Sequence, residues 1–172
     1  MNNNKRFDLS NYLIHFFRDV DLLGRNGIIF PEHMGWQNLN EGTFLPASFM
    51  LRAALRNGRL WATWSMRNCV RTVYGPNPAI CFTEMPIAAF LQAGQARWQI
   101  GQAMSPFALV FPKNALYQLG ALPVISGLSS KSCFSAHYDT AGNRMFPESS
   151  LPSIEQFRYV TLDIGGARAV DW

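Results

Sequence analysis

The stretch Tyr74-Gly-Pro-Asn-Pro-Ala-Ile-Cys-Phe-Thr-Glu-Met-Pro86 puts the tightest limits on how this chain can fold. Pro76 and Pro78 fix their own backbone angles and Gly75 tolerates unusual ones, so the segment opens as a turn. Ala79-Ile80-Cys81-Phe82 follows as a short apolar run with the character of a buried strand. Pro86 then stands where a helix accepts its first residue, ahead of Ile87-Ala-Ala-Phe-Leu91. Thr83 and Glu84 are therefore polar groups at the exit of a buried strand, where functional side chains concentrate. Glu84 has two open readings. Beside a helix start it can interact with the helix N-terminus, for about 0.3–1 kcal/mol, or it can act as a general base or hydroxyl acceptor.

A first strand is expected over residues 12–17, Tyr-Leu-Ile-His-Phe-Phe. Alternation puts Leu13, His15 and Phe17 on one face and Tyr12, Ile14 and Phe16 on the other. His15 is then a lone imidazole among large apolar groups, either a satisfied core histidine or one turned toward a ligand. Asp19 to Gly27, with early acids and a closing Asn-Gly, reads as a short helix. Residues 28–30 read as extended, and 32–46, with His33 and Trp36, as a loop. Helical spacing is expected over 47–57, again over 60–71 around Trp61 and Trp64, and over 86–100 despite Gly94. Phe107 to Phe111 is the clearest strand, bounded by Pro106 and Pro112, and a short helix over 112–119 stops at Gly120. Residues 123–126 and 157–164 complete the strands, while 127–153, which holds His137, is read as a mobile loop and residues 1–9 as a disordered tail. The expected fold is α+β: a single domain over 1–172, with a mixed central sheet of short strands and flanking helices.

With 172 residues the chain can bury a core without disulfides or metals. Charged residues make up 15% of it, against roughly 25% in a usual globular chain, which suggests a surface partly covered by a protein partner. The net charge of +4 permits contact with nucleic acid. The arginines 52, 56, 59, 67 and 71 predict only weak, strongly salt-dependent binding. Cys69, Cys81 and Cys133 have neither disulfide nor metal-ligand spacing, and no metal site is expected. Reduced thiols, an N-terminus without a signal-peptide core and the lack of a long apolar run point to a cytoplasmic protein outside the membrane. The Rossmann, P-loop, zinc-protease and nucleophile-elbow patterns are all missing.

Four pieces together resemble a known family: Asn11-Tyr-Leu-Ile-His15-Phe, Gly27-Ile-Ile29, Tyr74-Gly-Pro with Ile80-Cys-Phe-Thr-Glu-Met-Pro86, and Ala108-Leu-Val-Phe-Pro-Lys113 with Gly120-Ala-Leu-Pro-Val124. In this order they are similar to the AbiGi-type abortive phage-resistance family, often described as the antitoxin side of a phage-defence pair. That resemblance implies action through a cognate partner, a toxin or another defence component, and spans roughly residues 10 to 172. A second similarity is to ADP-ribosyltransferase-like domains, carried by His15 in the first strand and Phe82-Thr83 further on. It implies NAD as cofactor, with His15, Thr83 and Glu84 as the catalytic set and Tyr12, His15, Tyr74 and Phe82 lining the cofactor. The glutamate of the last strand in such enzymes has no counterpart up to Trp172 and would fall just beyond it.

Overall fold

The computed structural model describes residues 10–21, 44–63, 66–67, 70–102, 104–128, 137–140 and 142–161. In chain order these form β1 (Tyr12–Phe16), β2 (Val20–Asp21), β3 (Phe44–Leu45), α1 (Ala47–Asn57), β4 (Met66–Arg67), β5 (Val70–Arg71), α2 (Ile87–Gln99), β6 (Ala108–Pro112), α3 (Lys113–Gln118), β7 (Ile125–Leu128), β8 (His137–Tyr138), β9 (Arg144–Met145), a 3-10 helix (Ser153–Arg158) and β10 (Tyr159–Thr161). The α+β class expected from the sequence is the class observed. The chain divides into two compact units, one of residues 1–23, 40–61 and 80–121 and the other of 24–39, 62–79 and 122–172.

In the first unit β1 and β6 pair antiparallel, with Ile14 opposite Val110 and His15 opposite Leu109. Ile14 also forms a bridge with Thr83, exchanging both backbone hydrogen bonds at 2.9 Å. Both faces of β1 are used, as its nearly unbroken apolar sequence requires. Ile14 and Phe16 pack with Phe90 of α2 and Met104. Phe17, just past the strand, packs with Ala47 and Ala54 of α1, together with Leu109. Ile14 and Phe90 are 0% and 2% exposed, and burying side chains of that size is worth about 1.5–3 kcal/mol each.

The helices form where their apolar spacing allows one inward face. Ala47, Met50, Leu51 and Ala54 recur at three- and four-residue steps on α1. The first amide of α1, at Ala47, donates to Asp19 Oδ1 at 2.7 Å, so a distant carboxylate supplies the cap that Pro46 lacks. Gly58 ends the helix with φ 61, a left-handed conformation suited to glycine. On α2, Gly94 faces the backbone of Ser105 and Pro106, so closely that a Cβ there would need that backbone to shift.

In the second unit β7 and β10 run parallel, and β4–β5 and β8–β9 are antiparallel pairs. Tyr74 stacks on Phe146 with ring centroids 4.3 Å apart. Arg144 lies 4.5 Å above the Tyr74 ring and donates to its hydroxyl at 2.9 Å. Gln156 is 0% exposed, and its amide bonds both the N–H and the C=O of Phe146 at 2.9 Å.

Several local expectations are corrected. Val20 and Asp21, expected in a helix, pair instead with Leu45 and Phe44. The helix expected over 60–71 is replaced by the β4–β5 pair and a bridge from Thr63 to Ala79, because short amphipathic runs are ambiguous and Thr63 and Val70 favour extended backbone. Among the described residues, 79–83 form backbone bridges at Ala79 and Thr83 rather than a continuous strand ladder. Among the described residues the expected sheet resolves into separate two-stranded ladders: segments 12–17 and 107–111 pair in one, 123–126 and 157–164 in another. The 127–153 segment contains the β8–β9 pair, whose turn Asp139 holds by accepting from the N–H and the side-chain amide of Asn143, each at 2.7 Å. The tail 1–9, the 28–30 strand, His33, Trp36, Trp64, Cys69, Cys133 and the end of the 157–164 strand lie outside the described residues.

Candidate functional site

The candidate site is one face of the β1–β6 ladder, and β1 positions its first residue. His15 shares this face with Phe17, as alternation requires, and the two rings meet edge to face at 5.1 Å. The bridge between Ile14 and Thr83 sets what comes from the neighbouring segment. Directly opposed residues project to the same face, so Thr83 goes with Ile14, toward α2, and Phe82 goes with His15. The Phe82 ring lies 5.7 Å from the imidazole and 6.0 Å from the ring of Phe111.

The imidazole is oriented by its backbone contact. His15 Nδ1 lies 2.9 Å from the carbonyl oxygen of Cys81. A carbonyl only accepts, so Nδ1 carries the proton and donates it. Burial lowers the pKa below the usual 6.5, and the Cys81 bond opposes that shift more weakly. The ring is therefore neutral at pH 7, and Nε2 keeps a lone pair that can accept from a hydroxyl or an N–H. No other group among the described residues bonds to the ring.

Glu84 ends the same segment. Its Oε1 accepts from Lys113 Nζ at 2.7 Å and from the Tyr117 hydroxyl at 3.2 Å. Lys113 also stands 5.6 Å over the Tyr117 ring, four residues further along α3. The bond to Glu84 raises the Lys113 ammonium above its usual 10.5. The reading of Glu84 as a partner of the helix start is corrected here: the α2 N-terminus has no side-chain cap, and the carboxylate is committed to α3.

The predicted site residues separate accordingly. His15 and Phe82 come together. Thr83 is next to them in the chain but projects to the other face, and its hydroxyl accepts from the Met85 amide at 3.3 Å. The expectation that His15 and Thr83 act together in one catalytic set is thereby corrected, because the strand period of two turns adjacent residues apart. Tyr12 likewise belongs to the Ile14 face and is 44% exposed. Tyr74 belongs to the second unit, 2% exposed and enclosed by Phe146 and Arg144. Sequence reasoning missed Phe111, Lys113 and Tyr117. The spacing of Lys113 and Tyr117 on a proline-opened helix was the available signal.

Chemically, this face offers three phenylalanine rings and a fixed neutral imidazole, and Glu84, at the end of the same segment, forms a carboxylate–ammonium–phenol group with Lys113 and Tyr117. Among the described residues no three metal-ligating side chains come together, and no helix is long and apolar enough to cross a membrane. In comparisons with known proteins, no family model, no curated protein and no solved structure matches the chain.

Proposed function

We propose that the His15 face of the first unit binds a planar, hydroxyl-bearing ligand of the NAD type, and that binding rather than turnover is its role. The carrying observation is the neutral His15 ring, fixed by Cys81 and set beside Phe82 on one sheet face. An imidazole oriented in this way supplies a directed acceptor for a ribose hydroxyl, and the phenylalanines supply an apolar wall for a flat ring. The test is thermal stabilisation of the full chain by NAD, confirmed by calorimetric titration. Stabilisation should disappear in His15→Ala and survive in Thr83→Ala, whose side chain faces away. No stabilisation of the native protein, or full stabilisation of His15→Ala, would refute the reading.

A second reading, a phage-defence protein acting through a cognate protein partner, is favoured by large apolar side chains at the surface of the first unit. Leu55, Ile100 and Leu119 are 61%, 70% and 83% exposed. Phage challenge of cells carrying the chain with and without the product of the adjacent gene tests it. Protection should depend on both proteins and fail with Leu119→Asp. Equal survival in every arm would count against it.

A further inference from the structure

Arg52, Arg56 and Arg59 are exposed on α1 or just past its end. No guanidinium of the three has a hydrogen-bond or ion-pair partner among the described residues. Arg52 and Arg56 lie one turn apart, about 6 Å along the axis, on the side away from Ala47 and Ala54. The acids that usually intersperse such charges are missing: between Glu41 and Glu84 the sequence has five arginines and no Asp or Glu. Arg56 sits in the last turn, where a cation complements the helix dipole. That accounts for one arginine and leaves two.

The chemistry narrows the partner. A helix that lies in a membrane surface must bury its apolar face in lipid, but that face of α1 is already packed on Phe17, Leu60, Phe107 and Leu109. A single-strand surface needs successive aromatic platforms for unstacked bases, and α1 offers one aromatic residue beside the arginines, Phe49, 43% exposed. A duplex keeps its bases stacked inside and presents regularly spaced phosphates, which convex arginines can meet without reading sequence.

We propose that the arginine face of α1 is a docking surface for the phosphate backbone of double-stranded nucleic acid, bound without sequence preference. Affinity should fall in the nonspecific range, a Kd of about 10⁻⁴ to 10⁻⁶ M, and weaken steeply with salt.

The experiment is fluorescence anisotropy of the full chain on a labelled duplex of arbitrary sequence across a salt series. With Arg52→Gln, Arg56→Gln and Arg59→Gln combined, the slope of log K against log salt should shrink by about 2.7, or 0.9 per lost contact. The triple lysine variant should keep the native slope, and circular dichroism should show all variants folded, since the side chains are exposed. Several results would overturn the proposal: an unchanged slope in the glutamine variant, an equal loss in the lysine variant, or no duplex binding at low salt. Tighter binding to the matching single strand would overturn it too, as would equally arginine-dependent binding to phosphatidylserine vesicles or polyglutamate.

Discussion

The Nδ1 of His15 lies 2.9 Å from the carbonyl oxygen of Cys81, and this single bond fixes which ring nitrogen keeps its lone pair. Burial of the same ring sets a pH dependence. Burial puts the folded pKa below 6.5, so between that lower value and 6.5 the unfolded chain binds a proton that the folded chain refuses. Stability is therefore full above the ordinary value and falls as pH drops through 6.5 toward the folded value. Urea unfolding of native protein and His15→Gln across this window should show the native protein losing more. Parallel curves would show that His15 makes no such contribution.

Asp19 ties two helices of the first unit to the segment between β1 and β2. Oδ1 accepts from the Ala47 amide at 2.7 Å and Oδ2 from Trp98 Nε1 at 3.2 Å. Asp19→Ala should cost about 1–2 kcal/mol, the upper part of the range for losing a helix cap. Asp19→Asn should cost less, because its carbonyl oxygen can still accept from Ala47 while its NH₂ cannot accept from Trp98. Equilibrium denaturation should rank them native, Asn, Ala.

Gly94 sits mid-helix, where alanine would ordinarily gain about 1 kcal/mol. A Cβ there would stand 3.0 Å from the Ser105 carbonyl oxygen and 3.2 Å from Pro106 N. That backbone resists moving, since the buried Ser105 hydroxyl donates to the Phe17 carbonyl and accepts from the Phe107 amide. Overpacking of this kind costs about 1–3 kcal/mol, so Gly94→Ala should lower the thermal midpoint. A raised midpoint would mean the Ser105 turn yields.

Gln156 satisfies three backbone groups of the second unit: the N–H and C=O of Phe146 and the C=O of Leu151. Replacing it with leucine keeps the bulk and leaves these buried groups unpaired, at about 1–3 kcal/mol for each one that stays dry. Gln156→Glu keeps the acceptor but loses both donor bonds. Both variants should unfold at lower urea, and proteolysis should detect the loss independently.

Elements with strong local punctuation were legible in the sequence. The helix expected over 47–57 coincides with α1 to the residue because Pro46 and Gly58 bracket a regular apolar stripe. β6 and α3 were found within a residue or so because prolines mark their borders. The shared face of Leu13, His15 and Phe17 followed from alternation alone. The 60–71 segment reads as a helix because its tryptophan spacing fits one, while the pairing of Thr63 with Ala79 is a contact no local pattern encodes.

The sequence by itself determined the α+β class, the long helices and the face His15 occupies, since each depends on backbone periodicity and on where glycine and proline permit a turn. Tertiary structure decided that Thr83 pairs with Ile14 and so turns from His15, that Glu84 goes to Lys113 and Tyr117, and that Asp19 caps a helix starting 28 residues later. These outcomes depend on register and on hydrogen bonds between distant segments. A one-residue change in the pairing of Ile14 with Thr83 would bring Thr83 to the His15 face, and that choice of partner is made between segments, not within one.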